Sequence, residues 1–172
     1  MRVTTSMDDL QALAQALRSR GWLLATAESC TGGLIAAACT SLAGSSEWFD
    51  RGFVTYSNDA KTQMLGVDAD LIAQHGAVSR EVACAMATGA LQRSRAHLAV
   101  AVTGIAGPGG AVPGKPVGTV WLATVVQGHA PWARLLQCAG DRAAVRGTTV
   151  DEAIAQLLHC ARGTEDAASS GA

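Results

Sequence analysis

Aromatic residues are scarce in this chain, with 2 Phe and 1 Tyr among 172 residues. Proteins that hold single-stranded nucleic acid stack bases on aromatic platforms, and so small a supply argues against that role. Charge is sparse as well. Lys and Arg number 13 against 14 Asp and Glu, and no basic block stands out, so nucleic acid is not an expected partner. No apolar run approaches the roughly 20 residues of a membrane helix, so none is expected in a membrane. Cysteines are few and unpaired in sequence: Cys30, Cys39, Cys84, Cys138 and Cys160 form no CxxC. An odd count without that spacing argues against a disulfide framework or a zinc knuckle, and most read as small buried hydrophobes. The four histidines show no metal-ligand spacing, and His75 and His97 read as loop and strand-start residues. Met1 to Gln11 is polar and has no apolar h-region, so no signal peptide is expected and a reducing cytoplasm is the expected location.

What the chain does have is apolar content, 49% against 16% charged. That is a globular composition, long enough to bury a core. Ser6 caps a helix with Leu10, Leu13, Ala14 and Leu17 on one face, and Gly21 ends it. Trp22 to Ala27 reads as a buried strand and Thr31 to Leu42 as a helix rich in small residues. Phe49 to Tyr56 reads as a strand, and Ser57 caps a helix over Asn58 to Leu65. Ser79 opens a longer helix, and His97 to Thr103 is a buried strand. A glycine-dense loop runs from Gly104 to Pro116. Val117 to Val126 and Trp132 to Cys138 form a hairpin, and Asp141 caps a last helix. Alternating helices and strands followed by a hairpin predict a layered α/β domain with a mixed sheet. One domain is expected over residues 1–162, with 163–172 as a frayed tail.

Three stretches could carry chemistry. The first is TAESCTGG, Thr26 to Gly33, at a strand-to-helix corner. Free backbone N–H groups and the helix dipole there favour an anion or a developing oxyanion. Gly32 and Gly33 allow close approach, and Ser29 on the corner would be exposed as a nucleophile must be. On the corner alone, Ser29 or Thr31 as a plain N-cap is the simpler reading. Cys30 is a rival nucleophile, whose pKa a helix N-terminus would lower. The second stretch is YSNDAK, Tyr56 to Lys61. A cation early in a helix is disfavoured by the dipole, which eases access to the neutral amine. A Ser–Lys pair is an alternative to Ser–His chemistry, although a solvent-facing lysine is the commoner case. The third is Thr103 to Thr119. Gly109, Gly114 and Lys115 match GxxxxGK, but Pro116 follows where a phosphate loop needs Ser or Thr and then a helix. A binding loop after a buried strand, beginning at Thr103 and Gly104, remains. Arg142 and Arg146, four apart on one helix face, could grip a phosphate or lie in solvent.

Taken in order, TAESCTGG, GSSEWFDRGFVTYSNDAK, LGV, HGAVS, TGIAGPGG, KPVGTVW and GDRAAVR resemble the C-terminal domain family of the competence-damage-inducible CinA proteins. They are most similar to its stand-alone members, which deamidate nicotinamide mononucleotide. The resemblance runs from about Leu10 to Leu158. It implies a three-layer α/β/α domain that hydrolyses the carboxamide of nicotinamide mononucleotide to nicotinic acid mononucleotide and ammonia, in pyridine-nucleotide salvage. The family's serine nucleophile falls on Ser29, its lysine on Lys61, and Tyr56 lies in the same motif. Thr103, Gly104 and the arginines of GDRAAVR fall in its binding region. With Ser29 as nucleophile, the amides of Cys30, Thr31, Gly32 and Gly33 become candidate oxyanion donors. The resemblance thus implies a small-molecule nucleotide substrate, no cofactor and no metal, and the chain is expected to form a homo-oligomer. The loop GPGGAVPGK lacks an acid often found after the family's proline. A non-catalytic nucleotide-binding or regulatory module on the same fold is the competing reading.

Overall fold

A computed structural model describes residues 5–163. Beyond Gly163, the expected tail lies outside the described residues. Helix α1 spans Met7–Arg20 and begins where the Ser6 hydroxyl accepts from the Asp8 amide. It ends at Gly21, whose φ of 63° is the left-handed stop that glycine adopts freely. Strand β1 (Leu24–Glu28) follows, then α2 (Leu34–Thr40), β2 (Phe49–Val54), α3 (Asn58–Leu65), α4 (Ala69–His75) and α5 (Arg80–Gln92). The chain continues through β3 (Leu98–Gly104), β4 (Thr119–Val126), β5 (Trp132–Gln137) and α6 (Arg142–Arg162). Caps expected at Ser57, Ser79 and Asp141 are all present.

The sheet order is β2-β1-β3-β4-β5. β1 runs parallel to both β2 and β3, while β4 and β5 join antiparallel. This is the expected mixed sheet. Alternation along the strands separates two cores. Leu24, Leu98, Val100, Val102, Val120 and Leu122 face α1, α2 and α6. On the other face lies a layer of small residues, Ala25, Ala27, Ala99, Ala101 and Ala123, packed under Val82, Ala83, Met86, Ala87 and Ala90 of α5. Helices therefore cover both faces, giving three layers.

Three local expectations need correction. The second helix begins at Leu34, not Thr31, because Thr31 and the two glycines after it form a turn around Glu28. Residues 69–75 form a short helix capped by Asp68, whose carboxylate accepts from the Asp70 amide. His75 accordingly ends a helix and does not sit in a loop. No helix among the described residues is long and apolar enough to cross a membrane.

The parallel pairing of β1 with β2 places the site. Glu28 and Val54 are partners in register, so both strands end together at one edge of the sheet. Residues immediately after them, Ser29 on one side and Thr55 to Ser57 on the other, emerge side by side. β3 ends in the same direction, at Gly104.

Candidate active site

The corner after β1 is held from three sides. The Ser29 amide donates to the Val102 carbonyl at 3.1 Å, and the Gly32 amide turns back onto the Ser29 carbonyl at 3.0 Å. Gly32 and Gly33 have φ of 58° and 105°, where an L side chain would be strained. Gly33 is the N-cap of α2 and contributes no side-chain hydrogen bond. Neither Ser29 nor Thr31 caps the helix. Glu28 does so instead. Its carboxylate is 1% exposed, accepts from the Thr31 hydroxyl at 2.6 Å and the Ile35 amide at 2.8 Å, and takes the Ala36 amide at 3.0 Å. The positive end of α2 is thus answered by a carboxylate of the chain itself, and the Ser29 hydroxyl is released from capping.

Ser29 Oγ instead accepts a hydrogen bond from Lys61 Nζ at 3.1 Å. Ser57 caps α3 by accepting from the Ala60 amide, which sets Lys61 in the first turn with its side chain directed inward. Lys61 is 2% exposed and Ser29 9%. The amine also donates to the Thr55 carbonyl at 2.9 Å. Among the described residues no carboxylate forms an ion pair with it. Burial therefore pushes the Lys61 pKa below its ordinary value, and a negative charge on Cys30 would act the other way. A neutral amine here has a lone pair free to take the Ser29 proton.

Cys30 has the opposite character. It is 5% exposed, and burial pushes its thiol up to about 11. The expected lowering by the helix end does not occur, since Glu28 occupies that end and burial dominates. A protonated, enclosed thiol is a poor nucleophile.

In front of Ser29 lies an open pocket of about 240 Å³, lined among others by Cys30, Tyr56, Gly104, Gly107, Gly109 and Arg142. Gly104 fits because a Cβ there would lie 2.6 Å from Val120 Cγ2 and 2.9 Å from the Thr119 carbonyl. Arg142, at the first turn of α6, donates to the Gly107 carbonyl and to the Tyr56 hydroxyl, both at 2.8 Å. Tyr56 is 61% exposed at the mouth. Arg146 points elsewhere. Its guanidinium lies behind the corner and donates to the Cys30 and Thr31 carbonyls, both at 3.2 Å. The two arginines share a helix yet do not form one clamp.

The family model for the CinA C-terminal domain matches residues 8–161. The chain belongs to the CinA C-terminal domain family. Over 136 residues it is 54% identical to the nicotinamide-nucleotide amidohydrolase PncC of Escherichia coli strain K12, covering 79% of this chain and 82% of that protein. A CinA-like protein of Citrifermentans bemidjiense is 59% identical over 143 residues, 83% of this chain but 34% of that longer protein. Among solved structures, the competence/damage inducible protein CihA of Agrobacterium tumefaciens superposes with a TM-score of 0.81 at 50% identity, covering 88% of this chain and 94% of that one.

Within this CinA C-terminal domain, the sequence candidates separate into distinct positions. Ser29, Lys61, Tyr56, Cys30, Gly104 and Arg142 meet at or beside one pocket. Thr103 lies beneath it, 1% exposed, with its hydroxyl committed to the Ala77 carbonyl at 2.9 Å. Thr31 is fully buried, and its hydroxyl serves Glu28. Among the corner amides, that of Gly32 is already used, whereas those of Cys30, Thr31 and Gly33 donate to no backbone carbonyl among the described residues. Glu28 was not among the candidates read from sequence. The signal available was an acid closing an apolar strand directly before a serine and two glycines. No group of three His, Cys, Asp or Glu that could hold a metal occurs among the described residues.

Proposed function

We propose that this CinA-family chain hydrolyses the carboxamide of nicotinamide mononucleotide to nicotinic acid mononucleotide and ammonia, with Ser29 as nucleophile and Lys61 as its base. The observation that carries this reading is the buried amine, unpaired with any carboxylate of the described residues, 3.1 Å from Ser29 Oγ at the wall of a pocket. The name of the Escherichia coli relative, at 54% identity, supports the substrate.

Neutral Lys61 takes the hydroxyl proton as Ser29 Oγ bonds to the carboxamide carbon. The carbonyl oxygen becomes an oxyanion, for which the amide of Cys30, a residue of the pocket wall, is a candidate donor because it serves no backbone carbonyl among the described residues. When the C–N bond breaks, the leaving nitrogen needs a proton. Lys61 ammonium supplies it, with the Tyr56 hydroxyl as a relay. Water then attacks the acyl-Ser29 ester, its proton passing through Lys61 to the departing Ser29 Oγ, and nicotinic acid mononucleotide leaves. Arg146 serves as a positioning residue, because it holds the Cys30 and Thr31 carbonyls of the corner. Arg142 stands at the mouth, where it can meet the substrate phosphate. The product feeds pyridine-nucleotide salvage.

The test is ammonia release from nicotinamide mononucleotide by the full chain, with and without EDTA. The expected result is one ammonia per nicotinic acid mononucleotide, unaffected by the chelator. Saturable substrate binding without ammonia would make the chain a nucleotide-binding module. Activity abolished by EDTA and restored by zinc or manganese would replace Ser29 with a metal-activated water.

A further inference from the structure

A second cavity, of about 660 Å³ against about 240 Å³ for the Ser29 pocket, lies at the opposite end of the sheet. It is lined by the end of β4 at Val126, the start of β5 at Trp132, and the C-terminal turns of α1 and α6. Val126 pairs with Leu98, whereas Val120 pairs with Gly104 at the Ser29 end. The length of the sheet therefore separates the two openings.

The lining is unusual for so aromatic-poor a chain. Two of its four tryptophans, Trp22 and Trp132, face this cavity. Trp132 is 43% exposed, leaving a large apolar surface uncovered by the described residues. The Arg20 guanidinium sits 4.7 Å over the Trp22 ring, a cation held in place by an aromatic face. His129, His159 and Gln156 add side-chain donors, and no Asp or Glu lines the space among the described residues. The two helix ends that border it contribute about half a negative charge each. Arg20, in the last turn of α1, is the one arginine or lysine among the described lining residues, and it supplies the positive charge that an anion would meet. The volume lies in the range of small-molecule sites.

We propose that this cavity binds a planar aromatic anion of nucleoside monophosphate size. The ring rests against the exposed Trp132, since Trp22 is already engaged by Arg20 and His97, and the anionic group meets Arg20 and the imidazoles of His129 and His159. Stacking on tryptophan and a charge-assisted hydrogen bond to arginine are the two contacts that select such a ligand. The site is independent of the amide chemistry at Ser29.

Isothermal titration of the full chain with AMP, GMP, CMP and UMP, and with inorganic phosphate, tests it. At least one nucleotide should bind saturably, and phosphate at least about tenfold more weakly. Arg20→Ala and Trp132→Ala should each weaken that nucleotide by about tenfold or more, with thermal melts close to the parent because both side chains are exposed. Arg142→Ala, at the Ser29 pocket, should leave it unchanged. Absence of saturable binding by all four nucleotides overturns the proposal. So does binding lost in Arg142→Ala but retained in Arg20→Ala and Trp132→Ala, which places the nucleotide at Ser29. Phosphate binding as tight as the nucleotide removes the aromatic half of the argument and overturns it as well.

Discussion

Replacing Lys61 with Met separates the chemical role of this side chain from its effect on stability. The substitution removes an amine that reaches Ser29 Oγ at 3.1 Å and the Thr55 carbonyl at 2.9 Å. Leaving the Thr55 carbonyl unsatisfied costs about 1–3 kcal/mol, at any pH. The burial penalty on the charged amine acts in the other direction, at about 1.4 kcal/mol for each unit by which the pKa is depressed. These two effects oppose each other, so stability at a single pH does not distinguish them, but its pH dependence does. Unfolded Lys61 titrates near its ordinary 10.5, and the folded group titrates lower. Between those two values the unfolded chain holds a proton that the folded chain lacks. Parent stability therefore rises with pH across that window, by up to about 1.4 kcal/mol per pH unit. It is complete above the unfolded value and lost as pH falls through the folded value. Lys61→Met has no such titration. Urea unfolding of both proteins at about pH 6, 8 and 10 should show the parent gaining on the variant as pH rises. Ammonia release should fall about a hundred- to ten-thousandfold in the variant, the usual effect of losing a general base. The acid limb of the parent rate profile should lie below the range of a free lysine. Parallel stability curves over the whole range would refute the reasoning, since they would mean a lysine that stays charged in the fold.

Ser29→Ala should change stability by about 1 kcal/mol or less and remove nearly all ammonia release, and adding Lys61→Met should make it little worse; additive losses in single-turnover assays would show that the two do not act as a unit. Cys30→Ala should retain most activity, because a thiol pushed up to about 11 keeps its proton at neutral pH; a dead Cys30→Ala beside an active Ser29→Ala would make the thiol the nucleophile. Glu28→Gln turns one acceptor oxygen into a donor facing other donors, and should lower the unfolding free energy by about 1–3 kcal/mol. It should reduce kcat without moving the acid limb of the pH profile. Arg142→Ala should raise KM for the mononucleotide about ten- to a hundredfold and spare the riboside, whereas Arg146→Ala should impair both through the corner. Equal effects of Arg142→Ala on the two substrates would remove it from phosphate recognition.

The caps and periodic faces were legible because each follows from local chemistry. Ser6, Ser57, Ser79 and Asp141 accept from amides two or three residues ahead, so a short window contains the whole interaction. Helix α4 escaped because seven residues leave too short a periodic pattern, although Asp68 and Asp70 mark its start. The meeting of Ser29 with Lys61 cannot be read from spacing, since 32 residues separate them. It depends on the register of β1 with β2, which brings two strand ends level. Only the resemblance to a family anticipated it. Arg142 and Arg146 illustrate the same limit. Helical spacing places them on one face, but their different partners across the chain, the loop at Gly107 and the corner at Cys30, send them apart. Glu28 was hidden for another reason. A buried acid in a strand is expensive unless several donors surround it, and two of those donors are amides that exist only once α2 has formed.

The alanine layer beneath α5 bears on the reacting groups through entropy. Alanine has no rotamers to lose on folding. Burying Ala25, Ala27, Ala99 and Ala101 therefore gains apolar contact without freezing any side-chain torsion. It also leaves that face of the two central strands with no torsions through which to relax. Ser29 follows β1 and Gly104 ends β3, so both are carried by strands that cannot loosen by rotamer exchange at those four alanines. The positional freedom needed to admit substrate and release product must then come from the exposed rim, where Arg142 reaches the Gly107 carbonyl and the Tyr56 hydroxyl through one hydrogen bond each, and the floor of the pocket stays fixed from one turnover to the next.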